Sequence, residues 1–344
     1  MNFSKASLES ISVHYVGNKS LGQDLFLSKE SLQIDEVISN KLKDYFLSRF
    51  VNIQEQYRFA HPSSLKYNEI FNFVSDVFSI ETTLHAASLN IAKHLYEHSI
   101  HPKIKQGEVY VCLFTNCEFE NKLVDAIGIF KTENKNGFFE VDQNGTDFSI
   151  EYKEGIDINK LDKGCLIFNL NQEEGFEVCI IDNQNRGEEA LYWKEKFLGL
   201  TQKANNFHQT NQVLDLTKNY VVDQLTGEIS RTDQIDMLNR TMEYFKENET
   251  FNQSDYETNV LVDGKIIDSY RKYGDSYKEN NDVELADNFD ISQQAVKKQA
   301  RSFKSILKLD RNFHIYIHGD RDLIEQGVEL DGRKYYKIYF EQES

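Results

Sequence analysis

Residues 8–16, LESISVHYV, set Ile11, Val13 and Tyr15 against Ser12, His14 and Val16, the two-residue period of an opening strand. The period then lengthens. From Ser31 to Phe50 the apolar positions Leu32, Ile34, Val37, Ile38, Leu42 and Phe46 recur at helical spacing, and residues 65–80 and 82–98 repeat that pattern up to a stop at Pro102. From residue 107 strand spacing returns in GEVYVCLFTN, KLVDAIGIFKTE, NGFFEVD, TDFSIEY, KGCLIFNLN and GFEVCIIDN. Asn136-Gly137 and Asn144-Gly145 supply residues that accept the positive φ of hairpin turns. Helices followed by antiparallel strands predict an α+β domain over residues 1–188.

A polar stretch at 183–189, NQNRGEE, marks the expected domain boundary. Beyond it, over residues 189–344, the pattern predicts a mainly helical domain. Its helices fall at 189–198, 204–223, 231–248, 253–275 and 281–308, the last interrupted near 288–292. Strands at 313–319 and 333–341, joined by a loop carrying Gly327 and Gly332, close the chain as a hairpin. The most polar run, YGDSYKENNDV at 273–283, reads as a loop. No internal repeat is evident.

Composition narrows the class. The chain has 344 residues, 12% aromatic, which is enough to bury two cores and too apolar for a disordered protein. No apolar run is long enough for a membrane span, and the first residues, MNFSKASLES, lack the apolar centre of a signal peptide, so we expect an intracellular protein off the membrane. Cys112, Cys117, Cys165 and Cys179 fall in strand-like segments without paired CxxC spacing. They read as buried thiols, not as zinc ligands.

Charge changes the picture most. The formal net charge is -17, yet the window from Gln294 to His318 holds six Lys or Arg and one acid, so it carries +5 and the remainder -22. In SQQAVKKQARSFKSILKLDR, residues 292–311, the cations Lys297, Arg301, Lys304, Lys308 and Arg311 fall three or four apart. At about 100° per residue they occupy an arc of roughly 80° on one helix, with Lys298 on the flank. Val296, Ala300, Phe303, Ile306 and Leu307 form the neighbouring apolar side. A cationic stripe on an acidic body suits contact with a polyanion through one surface. Residues 282–303 also have features of a helix-turn-helix. Ala286 falls where two helices would cross, Phe289, Ile291 and Val296 follow at core spacing, and Ser292 is placed to cap the second helix. Asp290 and Gln299 depart from it, at positions usually given to Gly and to an apolar residue. The plainer alternatives are phosphate contact without base readout, or a solvated basic face on a packed helix.

Other constellations are weaker. His94, His98 and His101 share a helix face in HLYEHSIH, a spacing that suits either metal ligation or a favourable charge at a helix C-terminus. His314 and His318 share a strand face, with Asp320 beyond. Glu108, Asp125, Glu140 and Asp182 near strand ends, with Lys131, raise a metal-dependent nuclease as one alternative, although the close acid-x-Lys pairing is missing. There is no GxxxxGK[ST] loop, no GxGxxG after a strand and no GxSxG elbow, and no cofactor is expected.

The run GEVYVCLFTNCEFENKLVDAIGIFKTE, then LDKGCLIFNL, ALYWKEKFLGL and NFDISQQAVKKQARSFKSILKLDRNFHIYIHGD, resembles the bacterial nucleoid-associated family of NdpA-like proteins. That resemblance implies a cytoplasmic, nucleoid-located, DNA-associated and dimeric protein with no established enzymatic activity, and it transfers no active site. The leading expectation is therefore a non-enzymatic binder of double-stranded DNA that contacts phosphates through Lys297, Lys298, Arg301, Lys304, Lys308 and Arg311. The alternative is an acidic interaction module acting on a DNA-processing enzyme.

Overall fold

The structure, a computed structural model, describes residues 1–183, 192–281, 283–303, 306–310, 312–316 and 323–342. It is α+β and divides into two compact units, Met1–Lys203 and Ala204–Ser344. The boundary expected near residue 188 falls among residues 184–191, outside the described residues. No helix among the described residues is long and apolar enough to cross a membrane.

The first unit is built on one antiparallel sheet. Its strands are β1 (Ser7–Val16), β2 (Leu25–Phe26), β3 (Tyr57–Phe59), β4 (Gly107–Phe119), β5 (Lys122–Thr132), β8 (Lys163–Phe168), β9 (Glu177–Asp182) and β10 (Leu200–Gln202). They lie in the order β10-β3-β9-β8-β5-β4-β1-β2. A separate hairpin, β6 (Lys135–Asn144) and β7 (Asp147–Ile156), forms a sheet of its own. Asn144-Gly145 makes its turn, with Gly145 at φ 70°. Asn136-Gly137 does not make a turn, contrary to expectation. It lies inside β6, where the Tyr152 ring of the opposite strand crosses Gly137 so closely that a Cβ would sit 2.2 Å from its hydroxyl.

Alternation explains how helices cover both faces of the sheet. Val109, Val111, Ile127, Ile129, Cys165, Ile167 and Val178 point to one side. There they meet Trp193 and the helices α2 (Glu69–Phe78) and α3 (Leu84–His98). Tyr110, Cys112, Phe114, Phe130, Leu166, Phe168 and Cys179 point to the other, under α1 (Glu36–Leu47), whose Phe46 stacks on Phe130 at 4.2 Å. All four cysteines are free and buried among these side chains, as the sequence predicts.

Two-sided burial forces polar groups inside to find partners. Lys131 and Lys163 stand directly opposite each other on β5 and β8, both with no exposed surface. Like charges so placed repel, and each is met by acids. Lys131 bonds Glu133 at 3.0 Å and the Lys105 carbonyl, while Lys163 donates to both Asp182 oxygens at 2.7 Å. Burial pulls the Lys131 ammonium below its ordinary range, opposed by the Glu133 charge. Removing one partner of such a buried pair leaves a charge uncompensated, at about 3 to 5 kcal/mol. Asp182→Ala should therefore lower the stability of the first unit by that order, read as a shift in the urea unfolding midpoint.

The nominally polar face of β1 is buried as well, because α3 covers it. His14 Nδ1 accepts the Ser28 backbone N–H at 3.1 Å, which leaves the ring's proton on Nε2, 2.9 Å from Ser88 Oγ. This arrangement holds the imidazole neutral. Burial, and after it the neighbouring His85, push its pKa from 6.5 down to about 4. Between those values the unfolded chain binds one more proton than the folded chain, so stability rises with pH across that window. The contribution, at most about 3 kcal/mol, is complete above pH 6.5 and lost as pH falls towards 4. Urea unfolding at pH 7 and near 4.5 should show this loss, and a folded His14→Gln variant should lose less.

In the second unit α4 (Asn206–Asn219) runs into a wider π turn at Tyr220–Gln224. It packs with α5 (Arg231–Glu247), α6 (Gln253–Tyr256) and α7 (Gly264–Asn281) around Leu214, Tyr220, Phe245, Tyr256 and Tyr270. Hydroxyls inside this core satisfy one another. Thr217 Oγ1 lies 3.2 Å from Tyr256 and 2.9 Å from Tyr270, and Thr241 lies 3.0 Å from Tyr256. The polar run predicted as a loop at 273–283 is mostly the final turns of α7, through Asn281. Tyr273 and Tyr277 on that helix pack against the core, which a reading by polarity alone passes over.

The short strand β11 (Thr250–Asn252), just before α6, pairs with β12 (Asn288–Asp290), which follows α7 and leads to α8 (Gln293–Gln299). Two hairpins follow: β13 (Ile306–Leu309) with β14 (Phe313–Tyr316), and β15 (Ile324–Val328) with β16 (Lys334–Ile338). The expected pairing of the two last strands is thus replaced, and Gly327 lies within β15, not in a loop. Leu309, Ile315, Ile324 and Tyr336 from the two hairpins gather on Ile235 of α5.

Candidate nucleic-acid interface

The cationic segment begins at Ile291, whose buried side chain and a backbone hydrogen bond to the Glu249 carbonyl (2.7 Å) anchor it. Ser292 caps α8 as predicted, its hydroxyl accepting from the Ala295 N–H at 3.4 Å, and its own N–H donates to Thr210 Oγ1 at 3.0 Å. Ala295 and Val296 are buried, in a helix packed between α4 and α5, and Gln299 donates to Asp215 at 3.1 Å. With that face turned inward, Lys297, Lys298 and Arg301 are exposed. Lys298 Nζ rests 5.4 Å from the centre of the Phe207 ring, a cation–π contact that holds it to the body.

The long basic helix does not form. α8 stops at Gln299 after seven residues, and Ser302 turns its hydroxyl back onto the Gln299 carbonyl at 2.8 Å while Phe303 is buried. The chain re-enters as strand β13 at Ile306. Of the six predicted cations, Lys297 and Lys298 are therefore on α8, Arg301 is in the turn after it, and Lys308 is on β13 opposite His314. Lys304 and Arg311 lie outside the described residues. The run FKSILKL fits either period, and pairing with β14 decides for the strand.

The helix-turn-helix reading fails on its first helix. Residues leading to α8 are β12 and its approach, not a helix, because the buried Gln209 of α4 ties them down. Its amide donates to the Glu284 carbonyl at 2.9 Å and its Oε1 accepts the Ala286 N–H at 3.0 Å. Phe289 then stacks on Phe251 at 4.9 Å across the β11–β12 pair. Base readout by a paired helix has no frame here, whereas phosphate contact needs only exposed cations.

The acids considered for a nuclease are dispersed. Asp125 and Lys131 sit six residues apart on one strand, roughly 20 Å, Asp182 is taken by Lys163, Glu108 by Lys135 at 2.6 Å, and Glu140 lies on the β6–β7 hairpin. His318 and Asp320 lie outside the described residues. The histidine cluster rearranges. His94 and His98 adjoin on α3 with ring centres 4.4 Å apart, but His101 is elsewhere, its carbonyl accepting from Asn18. The third member is Glu69 of α2, whose carboxylate lies 2.5 Å from His94 Nδ1. Nothing in the spacing of Glu69, 25 residues upstream, announces it.

Residues 12–334 match the family described as nucleoid-associated protein YejK. No curated protein matches the sequence.

Proposed function

From the chain's membership of the nucleoid-associated protein YejK family, we propose that it works in the cytoplasm at the nucleoid by binding double-stranded DNA, non-enzymatically and through phosphates. The observation that carries this reading is the outward display of Lys297, Lys298 and Arg301 at α8, in a segment of +5 on a chain of -17. Lys304, Lys308 and Arg311 extend the same cationic segment. The Debye length of about 10 Å at 0.1 M salt lets such a patch act although the rest of the chain is acidic. Specificity for sequence is not part of the proposal, because the element that leads into short α8 is the strand β12 and not the first helix of a helix-turn-helix.

Each phosphate contact contributes about -0.9 to the slope of log affinity against log salt. Replacing Lys297 and Arg301 together by Glu should weaken binding to a DNA duplex by at least about tenfold and flatten the slope by about 2. Fluorescence anisotropy at several salt concentrations reads both. Equal affinity and slope in the double variant would remove α8 from the interface.

The same reading includes a homodimer, formed through the β6–β7 hairpin. Phe139, Val141, Phe148, Ile150 and Tyr152 share one face of that hairpin and are each 59–71% exposed. A two-stranded ribbon with an open apolar face is marginal in water by itself. A second copy laid on this face would remove on the order of 600 Å² from each chain, about 1,200 Å² in all, the lower bound of stable interfaces. Sedimentation should find a dimer for the native chain and a folded monomer for Val141→Lys with Ile150→Lys; a dimer that survives these charges would place the interface elsewhere.

A further inference from the structure

We infer that Glu69, His94 and His98 form a binding site for a divalent transition-metal ion of the zinc class. One ligand atom from each lies within 4.8 Å of the other two. His94 and His98 are four residues apart on α3, hence on one face, and both are half-buried, so their rings have little freedom. Glu69 is the first residue of α2 and is fixed from behind by Asn68. That side chain accepts the Phe71 N–H at 2.9 Å and donates to the carbonyls of Ala60, Leu198 and Gly199 at 3.0 to 3.1 Å.

The orientation of His94 is the second observation. Its Nε2 lies 3.1 Å from the Phe197 carbonyl, which can only accept, so Nε2 carries a proton and Nδ1 faces the Glu69 carboxylate. Histidine ligands are commonly held in this way, with the distal N–H donated to a backbone carbonyl and the other nitrogen turned to the metal. Nδ1 and the carboxylate lie 2.5 Å apart, turned towards each other. A metal ion between them would be met by both. Bonds of about 2.0 to 2.2 Å in a tetrahedron need ligand atoms roughly 3.4 Å apart, so the His94–Glu69 pair opens slightly and His98 closes in, with water as the fourth ligand.

Two imidazoles and one carboxylate select zinc, nickel or copper over magnesium and calcium, which prefer all-oxygen sites. Glu97 and Lys196 lie in the surroundings of His98 with opposite charges.

Calorimetric titration of the full, untagged chain with Zn²⁺ tests this. One equivalent should bind, saturably. His98→Ala and Glu69→Gln should each weaken binding by at least about tenfold, the loss of one ligand in three, while their melting temperatures in chelator stay at the native value. Co²⁺ in place of Zn²⁺ should give visible ligand-field bands that both variants lose. Absence of saturable binding, undiminished binding in both variants, or displacement by millimolar Mg²⁺ would overturn the assignment.

Discussion

Burial of both faces of a single antiparallel sheet is the constraint on which the first unit depends. Because α1 covers one side and α2 with α3 the other, strands β4, β5, β8 and β9 cannot turn polar residues to water by alternation. Every polar group they carry inside must meet a partner. Lys131 and Lys163, facing each other across the ladder, are tolerable only because Glu133 and Asp182 reach them. His14 is tolerable only as a neutral ring between Ser28 and Ser88. The same logic explains why the cysteines are inert: burial lifts all four thiols above their usual range, so none is a ready thiolate.

The second unit meets the need differently. Its buried polar atoms are mainly hydroxyls and amides, which cost less to bury than charges and can satisfy one another. Gln209 and Thr210, on α4, reach out to the backbone before α8, and the α8 position follows from them. The exposed cations are thus held by a helix seated through Thr210 and Gln209 at its start and Asp215 at its end. An exception is the buried Glu257, which Arg271 meets with two hydrogen bonds at 2.6 and 2.9 Å.

Much of this was legible. The alternating strands of residues 107–182 and the helices at 69–78, 84–98 and 231–247 follow the sequence periods closely, since their burial is one-sided for helices and patterned for strands. The errors have specific causes. Asn-Gly signals a turn only where the chain has room to reverse, and Asn136-Gly137 instead gives Tyr152 a place to lie. A polar composition at 273–283 concealed two tyrosines that bind α7 to its core. In FKSILKL the apolar positions satisfy both periods, and only a partner strand 7 to 10 residues later resolves them. The cations were identifiable from local charge, but their common arc was not, because an arc presumes a helix. Glu69 was invisible for a related reason: its proximity to His94 is created by the packing of two helices and by Asn68, not by any repeat.

The order in which the sheet is assembled has a further consequence during synthesis. Ser7 of β1 pairs with Thr115 of β4, and Phe59 of β3 pairs with Leu200 of β10, separations of 108 and 141 residues. The ladders β4–β5 and β8–β9, by contrast, close over short connections. Pairings so distant in sequence are slow to form because loop closure must precede any gain. At about 5 to 20 residues per second, strand β1 is synthesised several seconds before β4, the partner of its full length, exists. Until β4 follows, β1 has only the two-residue β2 to pair with, and the rest of its edge from Ser7 to His14 stays open.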